Sequence, residues 1–162
     1  MTRRLILMRH AKSDWTHDLE DHERPLNTRG QLAAETMGQW LRLNEYLPDE
    51  VFSSTSERTK ETFECLALDT KPNYLSRLYL AGPETMMNTL HRASGHTVLL
   101  IGHNPGIADF AHQAVARVPN HAKFSSYPTL ATLIVDFGIK DWKDLQPGSG
   151  IVADFIVPKD LQ

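Results

Sequence analysis

The stretch Leu5-Ile6-Leu7-Met8-Arg9-His10-Ala11-Lys12-Ser13 constrains this chain more than any other. Four consecutive apolar residues read as a buried strand, and the run then changes abruptly into Arg-His. Open α/β sheets place their ligands where buried strands end. Arginine brings a permanent cation with a planar fork of donors suited to phosphate or carboxylate. Histidine titrates near neutrality and serves as nucleophile, base or metal ligand. Taken alone, the stretch fits equally well a pair of loop residues that follow a core strand.

The remainder alternates short apolar runs with segments of helical period, the pattern that builds an α/β sheet. Thr28-Arg29-Gly30-Gln31 has the spacing of a capping box, and Ala33, Met37, Trp40 and Leu41 follow on one helix face. Val51-Phe52 reads as a strand leading through Ser53 to Ser56 into a helix with Thr59, Phe63 and Leu66 inward. Pro72 to Leu75 is a short strand, and Pro83 starts a helix carrying Met86, Met87 and Leu90 as core residues. Thr97 to Ile101 is the second strongly buried strand. The helix behind it presents Ile107, Phe110, Ala111, Ala114, Val115 and Val118. Thr129 to Phe137 and Ile151 to Val157 complete the strands, with Pro147-Gly148-Ser149-Gly150 as a turn between them. At 162 residues, with no repeat or linker, residues 1–162 are expected to form one domain.

Composition narrows the partners. A net charge of −3 gives no electrostatic reason for a nucleic-acid partner, so an anion site must be local. Cys65 is the sole cysteine, which excludes an intramolecular disulfide and a multi-cysteine metal site and suits a reducing compartment. Met1-Thr2-Arg3-Arg4 precedes only four apolar residues, too few for the core of a signal peptide. Nothing approaches the ~20 apolar residues of a spanning helix. A soluble, cytoplasmic protein without a membrane partner is expected.

Three junctions between strand and loop carry polar candidates: Arg9-His10, then Ser53 to Arg58, then Gly102-His103-Asn104. A parallel sheet gathers such junctions along one edge. Two arginines and two histidines there make a compact cationic pocket whose natural guest is a phosphoryl group. The arginines hold its oxygens, one imidazole attacks, and the other stabilises the developing charge.

In this arrangement the chain resembles the histidine phosphatase superfamily, the phosphoglycerate-mutase-like fold, from about Leu5 to Val157. Arg9-His10-Ala11 is similar to the family's Arg-His-Gly signature, with Ser13 and Trp15 at the usual places. Arg24-Pro25-Leu26 with Arg29-Gly30, Ser53 to Thr62, and Gly102-His103 match its further motifs in order. Ala11 in place of glycine, the short length, and the Ala11-Lys12-Ser13-x-Trp15 run resemble the SixA-type phosphohistidine phosphatases. The resemblance implies a three-layer α/β/α domain with a mostly parallel sheet. It further implies His10 as nucleophile and Arg9, Arg58 and His103 as ligands of the phosphate and its developing charge. Gly102 and Gly106 would shape the turn around His103. Arginine and imidazolium would replace the usual Mg²⁺ clamp, so no metal and no cofactor are expected.

One departure is informative. Larger members of the family supply a glutamate after the third strand to protonate an alkoxide. Here Ser76 to Pro83 contains no carboxylate before Glu84, the candidate acid, with Asp18 and Glu20 of the long loop as alternatives. An alcohol leaves poorly without a proton donor. An imidazole, with a pKa near ~6.5, is protonated at modest cost. The expected substrate is therefore a phosphohistidine on a protein, such as a histidine-containing phosphotransfer domain. A small phosphorylated substrate hydrolysed by a phosphomonoesterase on the same fold, and a non-catalytic phosphoprotein-binding module, are the alternatives.

Other polar residues have plainer readings. Ser13 either donates to a phosphate oxygen or caps a turn, Arg24 anchors the loop or touches phosphate, and Trp15 lines the pocket. His22 borders the pocket, whereas His17, His91, His96, His112 and His121 show no metal-site spacing. Cys65 reads as an inert core thiol, and Trp40 and Trp142 as packing residues.

Overall fold

A computed structural model describes residues 1–162 around a six-stranded sheet in the order β3-β2-β4-β1-β5-β6. Strands β1 (Arg3–Arg9), β2 (Glu50–Ser54), β3 (Pro72–Leu75) and β4 (Thr97–Gly102) are mutually parallel where they pair. β5 (Thr132–Phe137) and β6 (Ile151–Ile156) are antiparallel additions. The sheet is thus mixed, and parallel pairing is confined to the strands that carry the candidate residues. No α-helix lies between β5 and β6 to carry the chain back across the sheet, so β6 returns antiparallel.

Alternation along β1 builds two cores at once. Leu5 and Leu7 point to one face, where α3 (Pro83–His91) and α4 (Gly106–Ala114) bury Met86, Leu90, Ile107 and Phe110. Ile6 and Met8 point to the other, where α1 (Thr28–Leu43) and α2 (Glu57–Leu66) bury Ala34, Met37, Leu41, Phe63 and Leu66. Helices on both faces make the three layers, and each Leu, Ile, Met or Phe side chain removed from water contributes roughly 1.5–3 kcal/mol.

Three local expectations shift, each for a backbone reason. The cap of α1 is Asn27, whose side chain accepts from Gly30 N over 2.8 Å, one residue ahead of the expected Thr28. A Cβ on Gly30 would lie 2.2 Å from the Lys12 carbonyl oxygen, so glycine lets α1 press against the loop after β1. Helix α4 stops at Ala114, because Gly150 captures the chain: Ala116 N donates to its carbonyl over 2.7 Å, and Val118 is left exposed. β5 starts at Thr132, not Thr129, because Leu130 N instead donates to the His10 carbonyl over 2.9 Å.

The register fixes the working edge. Arg9 lies opposite Gly102 and Ser53 opposite Ile101. The residues just beyond them, His10, Ser54 and His103, therefore emerge side by side.

Candidate active site

His10 follows the last residue of β1, and its backbone is held on both sides. Its amide donates to the Gly102 carbonyl over 3.1 Å, and its own carbonyl receives Leu130 N. The ring Nδ1 is 2.7 Å from the Ala11 carbonyl. A carbonyl can only accept, so Nδ1 carries the proton and Nε2 keeps its lone pair. Burial, aided by the charges of Arg9, Arg58 and Arg24, pushes the His10 pKa down to about 3, and the ring is neutral at physiological pH. Thr62 secures the next residue: its Oγ1 accepts from Ala11 N over 2.9 Å and donates to the Arg58 carbonyl over 2.7 Å. The result is a neutral imidazole with one fixed tautomer and a free basic nitrogen.

His103 leaves β4 beside it, with ring centroids 5.3 Å apart. Arg58 Nη2 lies 3.4 Å from its Nδ1, and a guanidinium can only donate. Nδ1 therefore accepts, and Nε2 donates to Ser54 Oγ over 2.8 Å. Burial, with His10 and Arg58 nearby, pushes this pKa down to about 3 as well.

Arg58 enters from the first turn of α2 and is almost wholly buried, and Arg9 reaches over with Nη1 toward the Tyr127 carbonyl at 3.3 Å. The Nε groups of both arginines are buried donors without a partner in the protein. A buried donor left unpaired costs about 1–3 kcal/mol, a cost that an oxyanion accepting from both would offset.

The loop between β1 and α1 closes the site. Within it Arg24 is buried, donates through Nη1 to Ser13 Oγ and through Nη2 to Asp21 over 2.8 Å, and lies 3.5 Å from the ring centre of Trp15. Ser13 Oγ accepts that bond, so its hydroxyl proton stays available to a guest. Asp21 also receives Arg58 Nη2 over 3.0 Å and the Tyr79 hydroxyl. Partial burial opposes its charge, but the bonds from Tyr79, Arg24 and Arg58 outweigh it and hold the carboxyl well below the usual carboxylate range.

These groups line one cavity of about 400 Å³, bounded by Arg9, His10, Ser13, Arg24, Arg58 and His103 together with Lys12, Trp15, Asp21, Leu80, Asn104 and Thr129. Four cationic side chains face one carboxylate there, in a chain whose net charge is −3. No group of three or more His, Cys, Asp or Glu is placed to hold a metal ion. No helix is long and apolar enough to cross a membrane.

Comparison with known proteins identifies the family. The family model of the histidine phosphatase superfamily (branch 1) matches residues 5–79, the segment holding Arg9, His10, Asp21, Arg24 and Arg58. An uncharacterized protein of Mycobacterium tuberculosis is 31% identical over 159 residues, covering 94% of this chain and 100% of the relative. A structure proposed to be the phosphohistidine phosphatase SixA from Nakamurella multipartitia superposes with TM-score 0.82, at 26% identity over 98% of this chain and 97% of that one. A second structure proposed to be a SixA, from Agrobacterium tumefaciens, gives TM-score 0.80 at 25% identity over 96% and 98%. The chain belongs to the histidine phosphatase superfamily. Its architecture is SixA-like, and the family match together with the SixA-like structures supports a phosphatase acting on a phosphorylated substrate.

For a histidine phosphatase, the placement of the expected residues is instructive. Arg9, His10, Ser13, Arg58 and His103 come together as the sequence expectation places them, and Trp15 lines the cavity. Glu84, the candidate acid, does not: it is exposed on the first turn of α3 and outside the cavity. Asp18 and Glu20 are exposed and outside it too. The carboxylate in the cavity is Asp21, which sequence reasoning passed over; its signal was the spacing to Arg24 across one tight turn. Ser54 lies within the polar junction singled out from the sequence, there without a partner assigned, and Tyr79 was missed as a partner of Asp21. Gly106 is required by close approach, since a Cβ would lie 1.8 Å from the Ala81 carbonyl oxygen, whereas at Gly102 a Cβ meets only ordinary contacts at 3.7 Å. Cys65 is half-buried at the edge of a core and not within it.

Proposed function

We propose that this phosphatase hydrolyses phosphohistidine on a protein, through a phosphohistidine formed on His10 and without a metal ion. The reading is carried by one observation: the sole carboxylate in the cavity, Asp21, is held ionised by two arginines and a tyrosine, so no carboxylic acid there is poised to protonate an alkoxide.

In the first step His10 Nε2 attacks phosphorus while the unpaired Nε groups of Arg9 and Arg58 and the Ser13 hydroxyl hold the phosphoryl oxygens. A phosphoryl dianion beside His103 offsets the burial and arginine charge that keep the ring neutral. The ring can then take a proton at Nδ1 and donate it as a hydrogen bond to the transition state. Water next attacks phosphorus as the bond to His10 Nε2 breaks. The electron pair returns to Nε2, inorganic phosphate leaves with the oxygen and protons of the water, and His10 is neutral again. Phosphotransfer proteins are fitting donors, because the phosphoryl group they carry leaves with an imidazole. A cytoplasmic setting accords with such a partner.

Hydrolysis of a phosphohistidine protein, p-nitrophenyl phosphate and a sugar phosphate, with His10→Ala as control, tests the proposal. Preference for the P–N substrate, abolished in the variant, is expected. Efficient turnover of the sugar phosphate would contradict it, and binding without turnover of any substrate would point to a phosphoprotein-binding module.

A further inference from the structure

We propose that Asp21 is a specificity-determining residue of this cavity: a fixed carboxylate at its mouth that favours a phosphohistidine ring in its protonated, cationic form and disfavours a substrate whose leaving group is an alkoxide. The inference rests on the phosphohistidine reading above and deepens it by naming what recognises the leaving ring.

Asp21 cannot swing aside. Its Oδ1 accepts from Arg24 Nη2 over 2.8 Å, its Oδ2 from Arg58 Nη2 over 3.0 Å and from the Tyr79 hydroxyl, and its backbone carbonyl from Arg58 Nη1 over 2.7 Å. The side chains of Arg24 and Arg58 are 8% and 3% exposed, whereas that of Asp21 is 45% exposed. The arginines are thus buried, while the carboxylate they hold lines the cavity and stays open to solvent. Oδ1 has one protein donor and a lone pair to spare, enough to accept the N–H of a substrate ring.

A phosphohistidine protonated on its second ring nitrogen is a cation at that ring. As the bond from His10 Nε2 to phosphorus forms, the bond from phosphorus to the substrate ring breaks. Its electron pair stays with the leaving nitrogen. The ring departs as neutral imidazole, keeping the proton already on its other nitrogen. No proton is transferred in this step, so no acid is required. A carboxylate within hydrogen-bond distance favours the protonated ring that leaves well. An alkoxide in the same place would build negative charge against a fixed negative charge.

The test compares kcat/KM for a phosphohistidine protein, p-nitrophenyl phosphate and phosphoserine in the wild type, Asp21→Asn, Asp21→Glu and Tyr79→Phe. Asp21→Asn also loosens its hold on Arg58 and Arg24, which serve every substrate. The readout is therefore the P–N to ester ratio of kcat/KM, expected to fall about 10-fold or more. Asp21→Glu should restore part of the selectivity, and Tyr79→Phe, which keeps the charge, should preserve it. Equal losses on all substrates, or an unchanged ratio, would overturn the role of Asp21 while leaving the phosphohistidine reading intact. A wild type without P–N preference would overturn both. Should Asp21→Asn fail to fold, the wild type still decides: a half-exposed charge is screened by salt, so the P–N to ester ratio should fall as ionic strength rises, and a salt-independent ratio contradicts the proposal.

Discussion

Ser54 accepts the Nε2 proton of His103 over 2.8 Å, and this one bond sets which nitrogen of the ring faces Arg58. The serine emerges at the end of β2 and the histidine at the end of β4, so the register between parallel strands fixes the tautomer of a cavity side chain. Replacing Ser54 by Ala leaves a buried N–H unpaired, at a cost of about 1–3 kcal/mol. Turnover should fall on the order of 10-fold, with KM changed less than kcat. Steady-state kinetics of Ser54→Ala check this; unaltered kcat would show that the tautomer is set elsewhere.

Glu84 lies outside the cavity, so Glu84→Gln should keep kcat/KM within about 2-fold on any phosphorylated substrate. A large loss on phosphate esters alone would mean that α3 delivers an acid to the site.

Acid should destabilise the fold in a defined window. His10 and His103 have pKa values near 3 when folded, against ~6.5 when unfolded. Between those values the unfolded chain binds protons that the folded chain does not. Their contribution is therefore complete above about pH 6.5 and lost progressively as pH falls toward 3. Asp21, depressed below its ordinary range, adds a further loss at still lower pH. Urea midpoints measured from about pH 7.5 down to 4.5 should fall, and His103→Gln should flatten the slope. A level profile would contradict the buried neutral histidines.

Two glycines near His103 should respond oppositely to alanine. Gly106→Ala forces a Cβ against the Ala81 carbonyl and should destabilise by about 1–3 kcal/mol. Gly102→Ala meets only ordinary contacts and should be tolerated or slightly stabilising. Denaturant melts of the two variants distinguish them.

What was legible in the sequence follows from where each residue sits. Arg9, His10 and His103 end apolar runs that can only be buried strands, and Arg58 opens a helix just after another, so their convergence follows from parallel topology. Asp21 and Tyr79 meet only because the non-periodic loop after β1 folds back over α2, and no periodicity encodes that path. Glu84 misled because a position soon after β3 says nothing of which way the first turn of α3 faces. The apolar spacing through Val115 and Val118 overran α4 because pairing with Gly150, remote in sequence, ends the helix. Long-range backbone capture and loop path were the illegible parts.

The central claim is that His10, neutral and with Nε2 free, becomes phosphorylated during turnover. Rapid quench in alkali of the wild type with a ³²P-labelled phosphohistidine protein, followed by peptide mapping, tests it directly. The account predicts acid-labile label on His10 that is absent from His10→Ala. Label on another residue, or undiminished turnover by His10→Ala, would contradict it.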